Sequence, residues 1–194
     1  KLDTSKVTDM GSMFHGSLNL TQLDVSSWDT SHVTNMSNMF LGASSLESLN
    51  VSSWHVNNVT NFTGTFSGMT NLRSLDVSNW NVGNTNNMSQ MFSNSISLET
   101  LDVSNWDTRN VTDMSGMFSG MTSLISADVS NWDVRRVTTM FSMFNSTSKL
   151  ESLDLSKWDF STYKDTQYFL NRADGLGEFK FNSTLPNPIM VSFG

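Results

Sequence analysis

The chain has no cysteine among its 194 residues, which removes both a disulfide framework and a thiolate metal site and leaves stacked burial to supply stability. Charge is scarce as well. Lys, Arg, Asp and Glu make up 15% of the sequence, so Ser, Thr and Asn must cover most of the surface, a composition that points to an extracellular setting. The 11 basic residues are outnumbered by 18 acidic ones, for a net charge of −7. With no basic stripe, that balance argues against nucleic acid and anionic membrane surfaces as partners. No apolar run approaches the ~18 residues of a membrane span, so no membrane insertion is expected. No signal peptide opens the chain, which reads as a processed or excised piece. Proline occurs twice, at Pro186 and Pro188, and no Gly/Ser- or Pro-rich linker interrupts the chain, so one domain is expected.

What is present is a repeat. Tryptophan falls every 26 residues, at Trp28, Trp54, Trp80, Trp106, Trp132 and Trp158. Phe14, Phe40, Phe66, Phe92, Phe118 and Phe144 keep the same interval, as do Leu20, Leu46, Leu72, Leu98, Leu124 and Leu150. The units run over 3–28, 29–54, 55–80, 81–106, 107–132 and 133–158, and the chain opens mid-array, Asp3-Thr4-Ser5 matching Asp29-Thr30-Ser31. Such self-similarity marks a stacked array in which each unit buries its apolar face on its neighbours.

Within residues 29–54, Leu46, Leu49, Val51 and Trp54 follow LxxLxVxxW, close to the leucine-rich template LxxLxLxxN. Leu49 and Val51 alternate with Asn50 and Ser52, which reads as a short strand with its apolar side inward. Met36, Met39 and Phe40 fall at i, i+3 and i+4, the spacing of one helical face, with Thr34 as N-cap and Gly42 as terminator. The expected fold is therefore an α/β repeat, a leucine-rich-repeat-like solenoid with a parallel β-sheet on one face and short helices on the other. Residues 1–170 form the array, with a degenerate seventh unit in which Tyr163, Thr166, Phe169 and Leu170 take the places of Val137, Met140, Met143 and Phe144. Phe179 and Phe181 alternate, as do Ile189, Val191 and Phe193, with Pro186 and Pro188 between the two runs, so 171–194 reads as a C-terminal β cap of the same domain.

The pattern LDVSxWDTxxVTxMxxMFxG, as in Val103 to Thr108 and Val111 to Phe118, resembles the 26-residue repeat of bacterial surface proteins grouped with the BspA-like leucine-rich repeats. The resemblance spans residues 1 to about 158. It implies a secreted or wall-anchored adhesin, from Gram-positive bacteria or mycoplasmas, with no catalytic residue in its motif.

The residues add little chemistry of their own. Tryptophan and methionine at these spacings read as core. His15, His32 and His55 occupy different places in their units, so stacking brings no zinc cluster together, and no GxSxG elbow or phosphate loop occurs. No catalytic residue, metal ligand or cofactor is assigned. Asp24, Asn50, Asp76, Asp102, Asp128 and Asp154 share one outward place; serines two residues on solvate them, or a Ca²⁺ ion bridges several rungs. Asp29, Asp107, Asp133 and Asp159 are expected to bind loop amides. Arg135 and Arg136 form a local positive point. His55, Phe62, Thr65, Thr85 and Asn94 depart from the array's usual Asp, Met, Met, Val and Gly, and read as compensating repacking.

The function expected is a non-catalytic, monomeric, extracellular repeat module at a bacterial cell surface, binding a host protein or glycan. Its contact row would be the outward strand face: Ser48, Asn50, Ser52, Ser74, Asp76, Ser78, Thr100, Asp102, Ser104 and Asp128. The alternative is a spacer that projects another domain from the cell wall.

Overall fold

A segment of seven residues is too short to close a helix on itself. The first four N–H and last four C=O groups of any helix lack internal partners, so nearly every polar group of such a segment would be stranded. The computed structural model, which describes residues 2–186, resolves this differently. Each 26-residue unit is one coil, and coils lie on one another in parallel. Bridges Asp9–Asn35, Asn35–Asn61, Asn61–Asn87, Asn87–Asp113, Asp113–Thr139 and Thr139–Asp165 connect seven successive coils in one column.

No helix occurs among the described residues, which overturns the expected α/β class. Where helices were expected, the amides alternate in direction. Met36, Asn38, Phe40 and Gly42 donate to the carbonyls of Asn61, Thr63, Thr65 and Ser67 in the next coil, at 3.0, 2.7, 3.0 and 2.8 Å. Met39, Leu41 and Ala43 donate three residues back, to Met36, Asn38 and Phe40. The result is a run of overlapping β-turns. Asn38 (φ 56°) and Gly42 (φ 72°) are left-handed and sit third in the turns 36–39 and 40–43, where a type II turn requires positive φ. A continuous helix cannot hold either residue. The turns still point Met36, Met39 and Phe40 into the core, so the apolar spacing is satisfied without helical hydrogen bonds.

The expected continuous sheet is also reduced. Four short strands occur among the described residues: β1 (Thr100–Leu101), β2 (Ser126–Ala127), β3 (Ser152–Asp154) and β4 (Glu178–Lys180). β1 pairs with β2 and β3 with β4, both in parallel. Elsewhere Leu49 and Val51 are inward and Ser48 and Asn50 outward, as alternation requires, but the dense ladder of main-chain bonds runs along the turns instead.

The core is a set of columns. Phe40, Phe66, Phe92 and Phe118 stack with ring centroids 5.7–5.9 Å apart, and Trp28, Trp54 and Trp80 at 6.3 Å. Each buried indole also adds a second donor to a carbonyl that already accepts a backbone amide of its own coil. Trp54, Trp80, Trp106, Trp132 and Trp158 donate Nε1–H to the carbonyls of Val25, Val51, Val77, Val103 and Val129 in the preceding coil, at 2.9–3.0 Å.

The seventh coil keeps this backbone with one exchange. Tyr163 is 88% exposed rather than in the place of Val137, and Lys164 is buried instead, its Nζ donating to Val137 O at 2.8 Å. The ammonium caps a carbonyl of the preceding coil. Phe169 and Leu170 are fully buried as expected. β4 and Phe179 lie on the preceding coil, Phe181 is exposed, and Ile189, Val191 and Phe193 lie outside the described residues.

Candidate ligand-facing surface

The outward strand row carries an Asx-x-Ser segment in each of the first six coils. Ser26, Ser78, Ser104 and Ser130 each donate both backbone N–H and hydroxyl to one oxygen of the Asp two residues earlier, the hydroxyl at 2.6–2.7 Å. Ser52 does the same to Asn50. Serine hydroxyls, then backbone amides, hold the carboxyls of Asp24 and Asp76 below the usual range. The serine solvation of this row thus recurs in five successive coils.

Seven of the ten candidate residues come together. Ser48, Asn50, Ser74, Asp76, Ser78, Thr100 and Asp102, with Leu49 and Leu75 at the base, line a shallow concavity of about 520 Å³ across three coils. Ser52, Ser104 and Asp128 fall outside its lining. The chemistry offered is short hydroxyls, amides and carboxylates over a narrow apolar floor. Such a lining suits hydrogen bonding to a polar ligand, and it lacks the Trp, Tyr and Arg that anchor tight protein interfaces.

The other polar residues singled out in the sequence are engaged locally. Ser31, Arg109, Arg135 and Ser161 donate backbone N–H to Asp29, Asp107, Asp133 and Asp159, the loop-amide role expected of these carboxylates. Arg109 and Arg135 also pair with Asp107 and Asp133, and Arg136 donates to Asn110 at 3.1 Å. Of the positive point, Arg135 is paired with a carboxylate while Arg136 bonds a neutral amide and keeps its charge. Ser31 Oγ lies 3.3 Å from His32 Nδ1 but gives its proton to Asp29 at 2.6 Å, so the pair is not poised for nucleophilic attack. Among the described residues, no three His, Asp or Glu side chains gather into a metal-holding group.

Reading the sequence alone missed what the abundant Ser, Thr and Asn do. Thr30 and Thr108 donate to the carbonyls of His55 and Asp133 one coil on, and Asn58, Asn84 and Asn110 to Ser31, Asn57 and Gly83 one coil back. The recurrence of Asn at that one place in three consecutive units was the available signal. These bonds close main-chain groups that lie between coils and out of reach of the turn ladder.

No curated protein matches the chain. A solved leucine-rich repeat protein from Bacteroides ovatus ATCC 8483 is similar at 15% identity and a TM-score of 0.37, over 92% of this chain and 65% of that one. The chain thus spans less than two thirds of that protein's length. A family model described as "Mycoplasma protein of unknown function, DUF285" matches residues 1–100 and again 88–185. Those two matches cover all six tryptophan-anchored units, and the chain belongs to this repeat family.

Proposed function

We propose that the chain is a non-catalytic, extracellular binding module of a bacterial surface protein, whose outward strand row contacts a polar ligand, a host glycan or protein. The observation that supports this reading most directly is the concavity where three coils present Ser48, Asn50, Ser74, Asp76, Ser78, Thr100 and Asp102 side by side. A shallow polar surface of this kind gives modest affinity per molecule, made useful by many copies at a cell surface. The test is binding of bead-displayed protein to a glycan array and to immobilised matrix proteins, with Ser74→Arg/Thr100→Arg beside the parent. Both sites are exposed, so the melting temperature should hold while binding falls at least ~tenfold. Equal binding by the variant would move the contact elsewhere.

The spacer reading draws on a separate observation. Ser52, Ser78 and Ser104 give their hydroxyls to their own Asn or Asp, which leaves fewer groups free for recognition. Excising residues 81–106 distinguishes the two: a spacer keeps the function of whatever it carries, and a binder loses part of its surface.

A further inference from the structure

The loop after each tryptophan has a recurring polar device, and two coils alter it in the same way. Asp3 and Asp29 each accept the backbone N–H and the hydroxyl of the serine two residues on, Ser5 and Ser31. At the serine place the fifth and sixth coils carry Arg109 and Arg135. Their guanidinium groups take over the hydroxyl's bond: Arg109 Nε donates to Asp107 at 2.8 Å, and Arg135 Nε to Asp133 at 3.0 Å. A hydroxyl has then given its only proton, whereas a guanidinium has five N–H donors. Nε and Nη2 of each arginine face its own carboxylate, and neither Nη1 has a partner among the described residues. Arg136 stands one coil on from Asn110 and donates through Nη1 alone, to Asn110 Oδ1 at 3.1 Å. Asn110 is in turn fixed by its amide, which donates to Gly83 O at 2.7 Å. Three arginines are thus each held by one acceptor group and each keep N–H donors to spare.

Arg109, Arg135 and Arg136 line one concavity of about 360 Å³ together with Asn110 and Asp133. We propose that this concavity is a second binding site, for the carboxylate of a single acidic sugar. The charge count permits it. Three guanidinium groups meet two paired carboxylates, Asp107 and Asp133, and both oxygens of Asp133 are already engaged by Arg135. Asp159 in the next coil also acts on Arg135, and Lys164 offsets it. The excess is one positive charge, on Arg136, in a chain of net charge −7. That excess suits one carboxylate, which a planar guanidinium fork meets with two parallel N–H bonds. A polyanion, such as a sulfated polymer or a strongly acidic peptide, would be repelled by the rest of the body. The volume lies at the small end for ligand sites, about that of one sugar ring. The lining contains no aromatic or aliphatic residue, so the favoured acid is hydroxylated rather than apolar. This site shares no lining residue with the strand-row concavity, so either can fail alone.

The test is titration of the full chain with methyl glucuronide, followed by the NMR shifts of the Arg109, Asn110, Arg135 and Arg136 amides. Saturable shifts confined to this loop region are expected, and methyl glucoside, which lacks the carboxylate, should produce none. Arg136→Gln should weaken binding at least ~tenfold. Arg136 is exposed, so the melting temperature should stay that of the parent. Arg136→Lys, which keeps the charge and loses the fork, should weaken it less. Arg73→Gln removes the same charge from an exposed place outside the concavity and should change nothing. Equal weakening by Arg73→Gln and Arg136→Gln would overturn the proposal, since bulk charge alone would then act. Acetate or sulfate binding as tightly as the glucuronide would also overturn it, leaving an adventitious ion only. So would tighter binding of an acidic peptide, because the site would then serve a protein partner.

Discussion

Tryptophan has two roles here that only one ring can combine. Its face extends an aromatic column, and its N–H gives the valine carbonyl of the coil before a second donor that ties the two coils together. Trp106→Phe keeps most of the packing but removes one of the two donors to Val77 O, which retains the Trp80 N–H, a loss of about 0.5–1.5 kcal/mol. Trp28→Phe should cost clearly less, since Trp28 is only partly buried and has no coil before it among the described residues. Urea unfolding of the two variants compares them, and equal losses would mean that ring packing alone matters. The deviant third coil follows the same logic of volume. Phe62 stands where Met36 does and stacks on Trp80 at 5.4 Å, while the smaller Thr65 stands where Met39 does and turns its hydroxyl to Met36 O and Phe62 O. Compensating repacking was legible at these two positions because they lie three apart on one apolar face. Tyr163 was not legible, because a residue next to a lysine gives no sign of which side chain will turn inward.

The turn run of each coil separates two physical accounts of the same residues. Were residues 112–119 a helix, Gly116→Ala would stabilise it by about 1 kcal/mol, since alanine is the better helix former. In the structure Gly116 has φ 61° and a methyl there would sit 3.1 Å from Gln90 Cγ. The substitution should therefore destabilise by about 1–2 kcal/mol, with thermal melting as the measurement. The sign alone decides between the accounts. A clue stood in the sequence, because Gly64 and Gly116 lie inside the segment read as helical, four residues before Gly68 and Gly120 at the terminator place. One glycine past a helix is a terminator, but a second in its interior argues against the helix. The apolar spacing at i, i+3 and i+4 hid this, since a spiral of turns and a helix present the same inward face. Ser142, Tyr168 and Arg172 carry positive φ at the matching places, so the neighbouring coils impose the conformation even on residues that resist it.

Across the whole molecule the carboxylates form columns rather than a site, and acid is the condition that reads them together. Serine hydroxyls and amides hold Asp3, Asp24, Asp29, Asp76 and Asp159 below the unperturbed value of 3.8. The native state then binds fewer protons than the unfolded chain. The associated stability is complete above about pH 4 and is lost as pH falls through the lowered native values. Ser26→Ala/Ser78→Ala should lower stability at pH 7 slightly and make the loss between pH 4 and pH 2 shallower. Denaturant melts across that range provide the check, and an unchanged acid slope would mean that the hydroxyls contribute nothing to these carboxylates.

The 26-residue register, the inward columns of Trp, Phe, Leu and Met, and the outward polar row were all determined by the sequence, because burial alternates in a pattern that repetition makes unmistakable. The concavity was implied only as a row of residues. Which backbone joins those columns was decided by stacking. A short segment that cannot satisfy its own amides as a helix satisfies them against the coils on either side, and a hydrogen bond between residues 25 apart leaves no local trace in the sequence.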